Sequence, residues 1–317
     1  MSDQFVTTVD KKISTGRRGH WTGASMVLAG AILWGVSGTA AQVLFQRFHF
    51  HPAWLVSIRM TVAGVLLLAV SAIRFGPKPV LTVWSVPRDA VGLILFGTIG
   101  LLLVQYSYLV SIATGNAATA TLLQYLGPVF ITAYLAVRQR QAPNRWELTA
   151  VILALLGTFL LVTDGQWKAL SVSSACVVWG LISAVSLAFY TLYPKKLLGK
   201  YPPSTVVGWG MLIGGFTMSM KYWPWAFTGA SSVSSWLLTV FVVLFGTLLA
   251  FYLYLTSLRY LTPTQTSILA CAEPLAASVV AIVVLRVPMG VFGILGGMCI
   301  LSTVVILALQ RPRQRAG

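Results

Sequence analysis

TQTSILACAEPLAASVVAIVVL, Thr264 to Leu285, is an apolar run long enough to cross a bilayer, with an acid, Glu273, and a proline, Pro274, near its middle. A carboxylate at that depth costs roughly 2.5–3.5 kcal/mol on insertion scales, so it is seldom placed there without a partner or a task. Around this run, 57% of the 317 residues are hydrophobic and only 9% are charged, and the mean hydropathy is +0.83. A soluble domain carries about 25% charged residues. The chain therefore reads as a polytopic membrane protein, and the absence of β-barrel alternation makes its class all-α.

At about 20 apolar residues per crossing, the chain accommodates ten transmembrane helices. They are expected at Thr22 to Phe45, Pro52 to Ile73, Ala90 to Ile112, Asn116 to Val137, Glu147 to Thr163, Ser171 to Leu192, Ser204 to Tyr222, Ser235 to Ser257, Thr264 to Leu285 and Met289 to Leu309. The connectors carry breakers, among them GPKP at Gly76 to Pro79 and Pro202-Pro203. The apolar run after Trp21 is too long for the core of a signal peptide and is read as a permanent first helix.

The net charge of +16 is spread in small groups rather than gathered on a soluble domain, which argues against nucleic acid. It reads instead as topology. If the N-terminus is cytoplasmic, only Arg47, Lys168, Lys221 and Arg286 fall on outer loops and Arg59 lies inside a helix; the remaining bases face inward. That asymmetry places both termini inside a cell (inner) membrane and makes the helix count even.

An internal repeat organises the chain. LFGT occurs at Leu95 to Thr98 and again at Leu244 to Thr247, and YLVSI at Tyr108 to Ile112 matches YLTSL at Tyr254 to Leu258. The second offset also carries Pro128 onto Pro274 and Arg140 onto Arg286. The halves, 22–163 and 171–309, each hold five helices, with a basic cytoplasmic tail at either end (1–21 and 310–317). Five is odd, so the second half enters from the opposite side: an inverted-topology repeat, the architecture of secondary transporters.

Longer matches then identify a family. ILWG at Ile32 to Gly35, SIRMTVAG at Ser57 to Gly64, NAATATLLQYLGP at Asn116 to Pro128, AFYTLYPKKL at Ala188 to Leu197, VVGWGMLIGG at Val206 to Gly215 and SILACAEPL at Ser267 to Leu275 together resemble the drug/metabolite transporter superfamily, specifically its EamA-type ten-helix bacterial permeases. The resemblance covers nearly all of Trp21 to Leu309. It implies a substrate cavity lined by helices one, three, four, six, eight and nine, cargo among amino acids, amines or related metabolites, and export as the commoner direction. Many relatives carry an acid just after the fourth and ninth helices, where this chain has Arg140 and Arg286, so a role for that acid does not transfer.

Two ionisable side chains sit clearly within spans, Arg59 and Glu273. Arg59 either pairs with Glu273, snorkels outward, or sets the charge of a central cavity. Glu273 either braces a bent helix, donating to the carbonyl of Ala270 that Pro274 frees, or exchanges a coupling proton. Trp34, Gln105, Tyr108, Asn116, Thr121, Gln124, Tyr125, Tyr190, Tyr252 and Tyr254 are candidates for the cavity wall, with Thr121, Gln124, Tyr125 and Pro128 sharing a helix face. Interface anchoring and helix gluing are the competing roles of such residues. Pro128 and Pro274 are candidate hinges.

Gly210 to Gly214 and Gly293 to Gly297 have GxxxG spacing, read first as packing within the chain and second as a homodimer contact. Cys176, Cys271 and Cys299 lie in separate apolar segments without metal-ligand spacing. No P-loop, HExxH or GxSxG motif occurs, and His20, His49 and His51 lie outside the spans. The expectation is a transporter rather than an enzyme, without a cofactor or metal, whose partners are a small-molecule substrate, the lipid bilayer and a coupling proton. A sensor or scaffold and a lipid translocase are the rival readings; a sealed centre would favour the former and a lateral opening the latter.

Overall fold

The computed structural model describes residues 17–139, 144–166, 171–222, 227, 229–257, 260–261 and 263–309. Arg140, Lys168, residues 1–16 and the tail 310–317 lie outside the described residues. The described residues are helical throughout, with no strand among them. They form α1 (Arg17–Gln46), α2 (Pro52–Phe75), α3 (Pro87–Thr114), α4 in two pieces (Ala117–Gln124 and Gly127–Gln139), α5 (Arg145–Thr163) and α6 (Ser174–Leu198). Then follow α7 (Pro203–Lys221), α8 (Val233–Tyr254), α9 in two pieces (Pro263–Ala270 and Ala272–Val283) and α10 (Val291–Leu309).

Helix starts follow local chemistry. Pro52, Pro87 and Pro203 each occupy the first turn of their helix, where a missing N–H costs nothing. Asn116, Asn144, Ser173 and Ser232 accept hydrogen bonds from first-turn amides. Seven helices, α1 to α6 and α8, are long and apolar enough to cross a membrane. The others fall short of that measure for visible reasons. In α7 glycines, serines and threonines dilute an otherwise apolar run, and α9 is divided at Cys271, leaving a shorter apolar piece at Ala272–Val283. α10 is apolar over Val291–Leu307.

Side-chain contacts gather the turns at two ends of the bundle. At one, the Gln46 end, Gln46 Nε2 donates to Gly115 O at 2.8 Å, Ser173 Oγ to Thr114 O at 2.5 Å, Ala230 N to Phe48 O at 2.8 Å and Gly293 N to Asp164 Oδ1 at 2.8 Å. At the other, the Phe75 end, Asp89 meets Lys200 Nζ at 3.0 Å and accepts from Tyr201 at 2.9 Å, while Trp209 donates to Val80 O at 2.8 Å. Burial, and then the hydrogen bond to Asp89, push the Tyr201 phenol up to about 12.

The packing has a regular pattern. α2 lies on α7 and α5 on α10; α1 lies on α8 and α9, and α6 on α3 and α4. Exchanging each helix for the one five places on returns the same set of pairs. The FGT of each LFGT copy falls in a π-helical turn, Phe96–Leu102 within α3 and Phe241–Leu249 within α8. α4 and α9 are both broken, at Tyr125-Leu126 and at Cys271.

Two of these pairs are glycine seams. A Cβ on Gly215 would lie 2.7 Å from Thr61 N and one on Gly64 2.7 Å from Leu212 N, across α2 and α7. Across α5 and α10, a Cβ on Gly157 would lie 2.7 Å from Gly296 O. The GxxxG glycines of α7 also meet atoms of this same chain: a Cβ on Gly210 would be 2.6 Å from Leu101 and one on Gly214 2.8 Å from Gly97 O. Overpacking a tight contact costs about 1–3 kcal/mol. Gly157→Val is therefore expected to lower the melting temperature of the detergent-solubilised protein, while Gly92→Ala, whose nearest neighbour would be 3.8 Å away, leaves it unchanged.

Candidate functional site

The two broken helices build the site. Proline lacks the N–H that an α-helix aims at the carbonyl four residues earlier. Pro128 thus leaves Gln124 unbonded and Pro274 leaves Ala270, and the first pieces of α4 and α9 end at those two residues. Tyr125 sits in the break of α4, and its hydroxyl donates to Ala270 O at 2.7 Å. One break thereby satisfies the carbonyl that the other exposes. The sequence had offered that carbonyl to Glu273. Glu273 instead holds its Oε2 at 3.2 Å from the Tyr125 hydroxyl.

Around the breaks lies a cavity of about 380 Å³. Trp34, Ser37 and Gly38 reach it from α1, and Arg59 from α2. Leu101, Val104, Gln105 and Tyr108 come from α3, and Gln124, Tyr125, Pro128 and Ile131 from α4. Leu187, Tyr190 and Thr191 belong to α6, Gly246, Phe251 and Tyr254 to α8, and Ala270 and Glu273 to α9, with Val207 and Val304 at the margin. Ile131, Thr191 and Val304 carry the space toward the Phe75 end, while Arg59, Gln105 and Tyr108 stand on its Gln46 side.

The polar groups are held by specific partners. Arg59, 7% exposed, donates through Nη2 to Gln105 Oε1, and its buried Nε has no partner. No ion pair joins Arg59 to Glu273. The guanidinium is held by a neutral amide rather than by Glu273. Gln124 Nε2 donates to Ser183 Oγ at 2.6 Å. Trp34 packs edge-on to Phe251 at 5.1 Å and tilted against Tyr254 at 5.3 Å, while Tyr190 stacks on Phe96 at 5.5 Å.

Of the residues singled out from the sequence, Trp34, Arg59, Gln105, Tyr108, Gln124, Tyr125, Tyr190, Tyr254, Glu273 and Pro128 come together on this wall. Thr121 lies just behind it, fully buried and 2.9 Å from the Tyr108 hydroxyl. Pro274 is buried in α9 rather than on the wall. Asn116 caps α4 and lines a different cavity, and Tyr252, 43% exposed, faces away. Sequence reading missed Ser37, Gly246 and Phe251. The LFGT repeat was the available signal for Gly246, whose hydrogen side faces Ser37 so closely that a Cβ would overlap it.

Comparison with known proteins gives the family. The model of the EamA-like transporter family matches residues 21–163 and again 174–309. The chain belongs to the EamA-like transporter family. An uncharacterized inner membrane transporter of Salmonella typhimurium, YicL, is 38% identical over 92% of this chain and 96% of its own length. An uncharacterized transporter of Bacillus subtilis, YwfM, is 24% identical over 92% and 95%. A crystal structure 16% identical to the chain aligns over 90% of it and 95% of its own length with a TM-score of 0.59, a likeness of fold. Family and relatives indicate a multi-pass membrane transporter rather than an enzyme.

Removing the Tyr125 hydroxyl strands a buried carbonyl, at a cost of about 1–3 kcal/mol. Tyr125→Phe is expected to lower the melting temperature clearly more than Tyr190→Phe, in which the stacked ring is kept. Equal melting temperatures would show that the link from Tyr125 to Ala270 carries no stability.

Proposed function

We propose that this EamA-like protein is a secondary transporter that exports a small polar metabolite, an amino acid, amine or related compound, across the inner membrane by alternating access. The observation that carries the reading is the 380 Å³ cavity around two broken helices, lined by Arg59 and Glu273 and by the rings of Trp34, Tyr190 and Tyr254. Its size suits a small ligand, and its charges and hydrogen-bonding groups suit a polar one. A sensor or scaffold has no need of such a space at the bundle's centre.

The architecture proposed is ten crossings, with α7, α9 and α10 counted alongside the seven longer helices, in two inverted five-helix repeats. Three matching pairs support it: the helix pairs that map onto one another, the π-helical LFGT turns, and the breaks of α4 and α9. The charge asymmetry supports cytoplasmic termini, which puts the Phe75 end inside. Because the recurring glycines serve contacts within the chain, the transporting unit proposed is the single chain.

Counting hydrogens supports the proton coupling proposed at Glu273. The Tyr125 hydroxyl has one, and two acceptors face it, Ala270 O and Glu273 Oε2. Both are satisfied together when Glu273 is protonated and itself donates to Tyr125. Once ionised, Glu273 competes for the hydrogen that ties α4 to α9. The other titratable and charged groups set around Glu273 are Arg59 on α2, Tyr108 on α3, Tyr254 on α8 and Cys271 beside it in the chain.

In proteoliposomes tested against a panel of labelled amino acids and amines, an imposed pH gradient is expected to drive accumulation of at least one compound several-fold. Glu273→Gln should retain downhill movement and lose the response to the gradient. Gradient-driven accumulation equal to that of the unaltered protein would remove Glu273 from coupling, and no movement of any panel member would overturn the transport reading.

A further inference from the structure

A second cavity, of about 290 Å³, lies at the Gln46 end, where Gln42, Gln46, Asn116, Asp164 and Ser171 turn polar groups into a space backed by Leu161 and Met289. It is reached along the same helix as the first. Gly38 of α1 lines the central cavity and Gln42, one turn further on, lines this one, so about 6 Å of helix separates them.

Two runs of hydrogen bonds, joined through the backbone of Ala117, fill that interval. The Tyr108 hydroxyl meets Thr121 Oγ1 at 2.9 Å, and Thr121 in turn donates to Ala117 O at 2.7 Å, which leaves Tyr108 as the donor of the pair. Ala117 N donates to Gln42 Oε1 at 2.9 Å, Gln42 Nε2 to Gln46 Oε1 at 3.1 Å, and Gln46 Nε2 to Gly115 O at 2.8 Å. Gln42, Thr121 and Ala117 are buried. The absence of a side chain at Gly38 is what lets Tyr108 lie across α1, because a Cβ there would sit 2.7 Å from the phenol oxygen.

The nature of this contact sets it apart from the seams between α2 and α7 and between α5 and α10. Those bring backbone against backbone, so they cannot part without opening a void. Here α1 meets the α3–α4 corner through amide and hydroxyl side chains, each bond weak on its own and each group able to turn to water or cargo once its partner leaves.

Resting on the transport reading above, we propose that the smaller cavity is the second station of the path, taking the same small polar cargo, and that Gln42, Tyr108 and Thr121 form the movable partition between the two stations. When the partition parts, the cavities become one passage; when it is closed, as in this structure, the central cavity communicates toward the Phe75 end alone.

Thiol accessibility tests this without knowledge of the cargo. Ser171→Cys reports on the smaller cavity and Val104→Cys on the central one. Each is exposed, in membrane vesicles of either orientation, to the membrane-impermeant cation MTSET, and modification is read at each cysteine by peptide mass spectrometry. Ser171→Cys is expected to react from the Gln46 side, and Val104→Cys at least tenfold faster from the Phe75 side than from the Gln46 side. Adding Gln42→Ala and Thr121→Val should abolish that difference. Tyr108→Phe, which keeps the ring and removes one of these hydrogen bonds, should reduce it and covers the case in which the double variant fails to fold.

Val104→Cys reacting equally from both sides before the partition is altered, or an unchanged difference after both kinds of alteration, overturns the proposal. Because no cargo is needed, the result is independent of whether any panel compound moves in the transport assay.

Discussion

A backbone carbonyl stripped of its helical partner inside an apolar bundle has to find another donor, and most of the central site follows from that requirement. Lipid offers nothing, so irregular backbone at membrane depth survives only where it is buried in protein or borders a polar cavity. Pro274 creates such a carbonyl at Ala270. Tyr125, in the break of α4 that precedes Pro128, meets it. The two prolines are thus complementary: one supplies the acceptor, the other frees the residue that donates. Glu273 is placed where this link can be felt, within reach of the same hydroxyl.

The charges are arranged on a similar principle. A direct pair between Arg59 and Glu273 would have neutralised both and drawn the cavity shut. Gln105 holds the guanidinium instead, through a neutral oxygen. An amide satisfies a hydrogen-bond donor without cancelling its charge, so the guanidinium's charge is left uncancelled on a wall that Glu273 shares. In surroundings of low dielectric constant a charge left uncancelled is felt more strongly than in water.

Much of this was legible in the chain itself. The proline pair, the LFGT repeat and the isolation of Arg59 and Glu273 in apolar runs needed only spacing and composition. What stayed hidden was absolute rotation. Spacing tells which residues share a helix face, never which neighbour that face meets, so Asn116 read as a wall residue although its side chain is spent on capping α4. The π-helical turns deepen the problem. Each inserts a residue into the ladder and turns everything beyond it by about 100° relative to an α pattern. In α8 this follows the turn at Phe241–Leu249, beyond which Phe251 and Tyr254 face the cavity and Tyr252 faces out. An α-helical wheel drawn through the turn does not carry that register.

The same two kinds of helix contact decide where motion can be taken up. Glycine seams between α2 and α7, and between α5 and α10, pair helices that correspond in the two halves. Such seams hold backbone against backbone and do not part without opening a void. Contacts made through polar side chains are of a sort that can be broken and remade. The side-chain amides of α1 against the α3–α4 corner and the Asp89 clasp on Lys200 and Tyr201 at the opposite end are of that sort. Rigid backbone packing in the seams and exchangeable polar contacts at the two ends are what the alternating exposure proposed above would use.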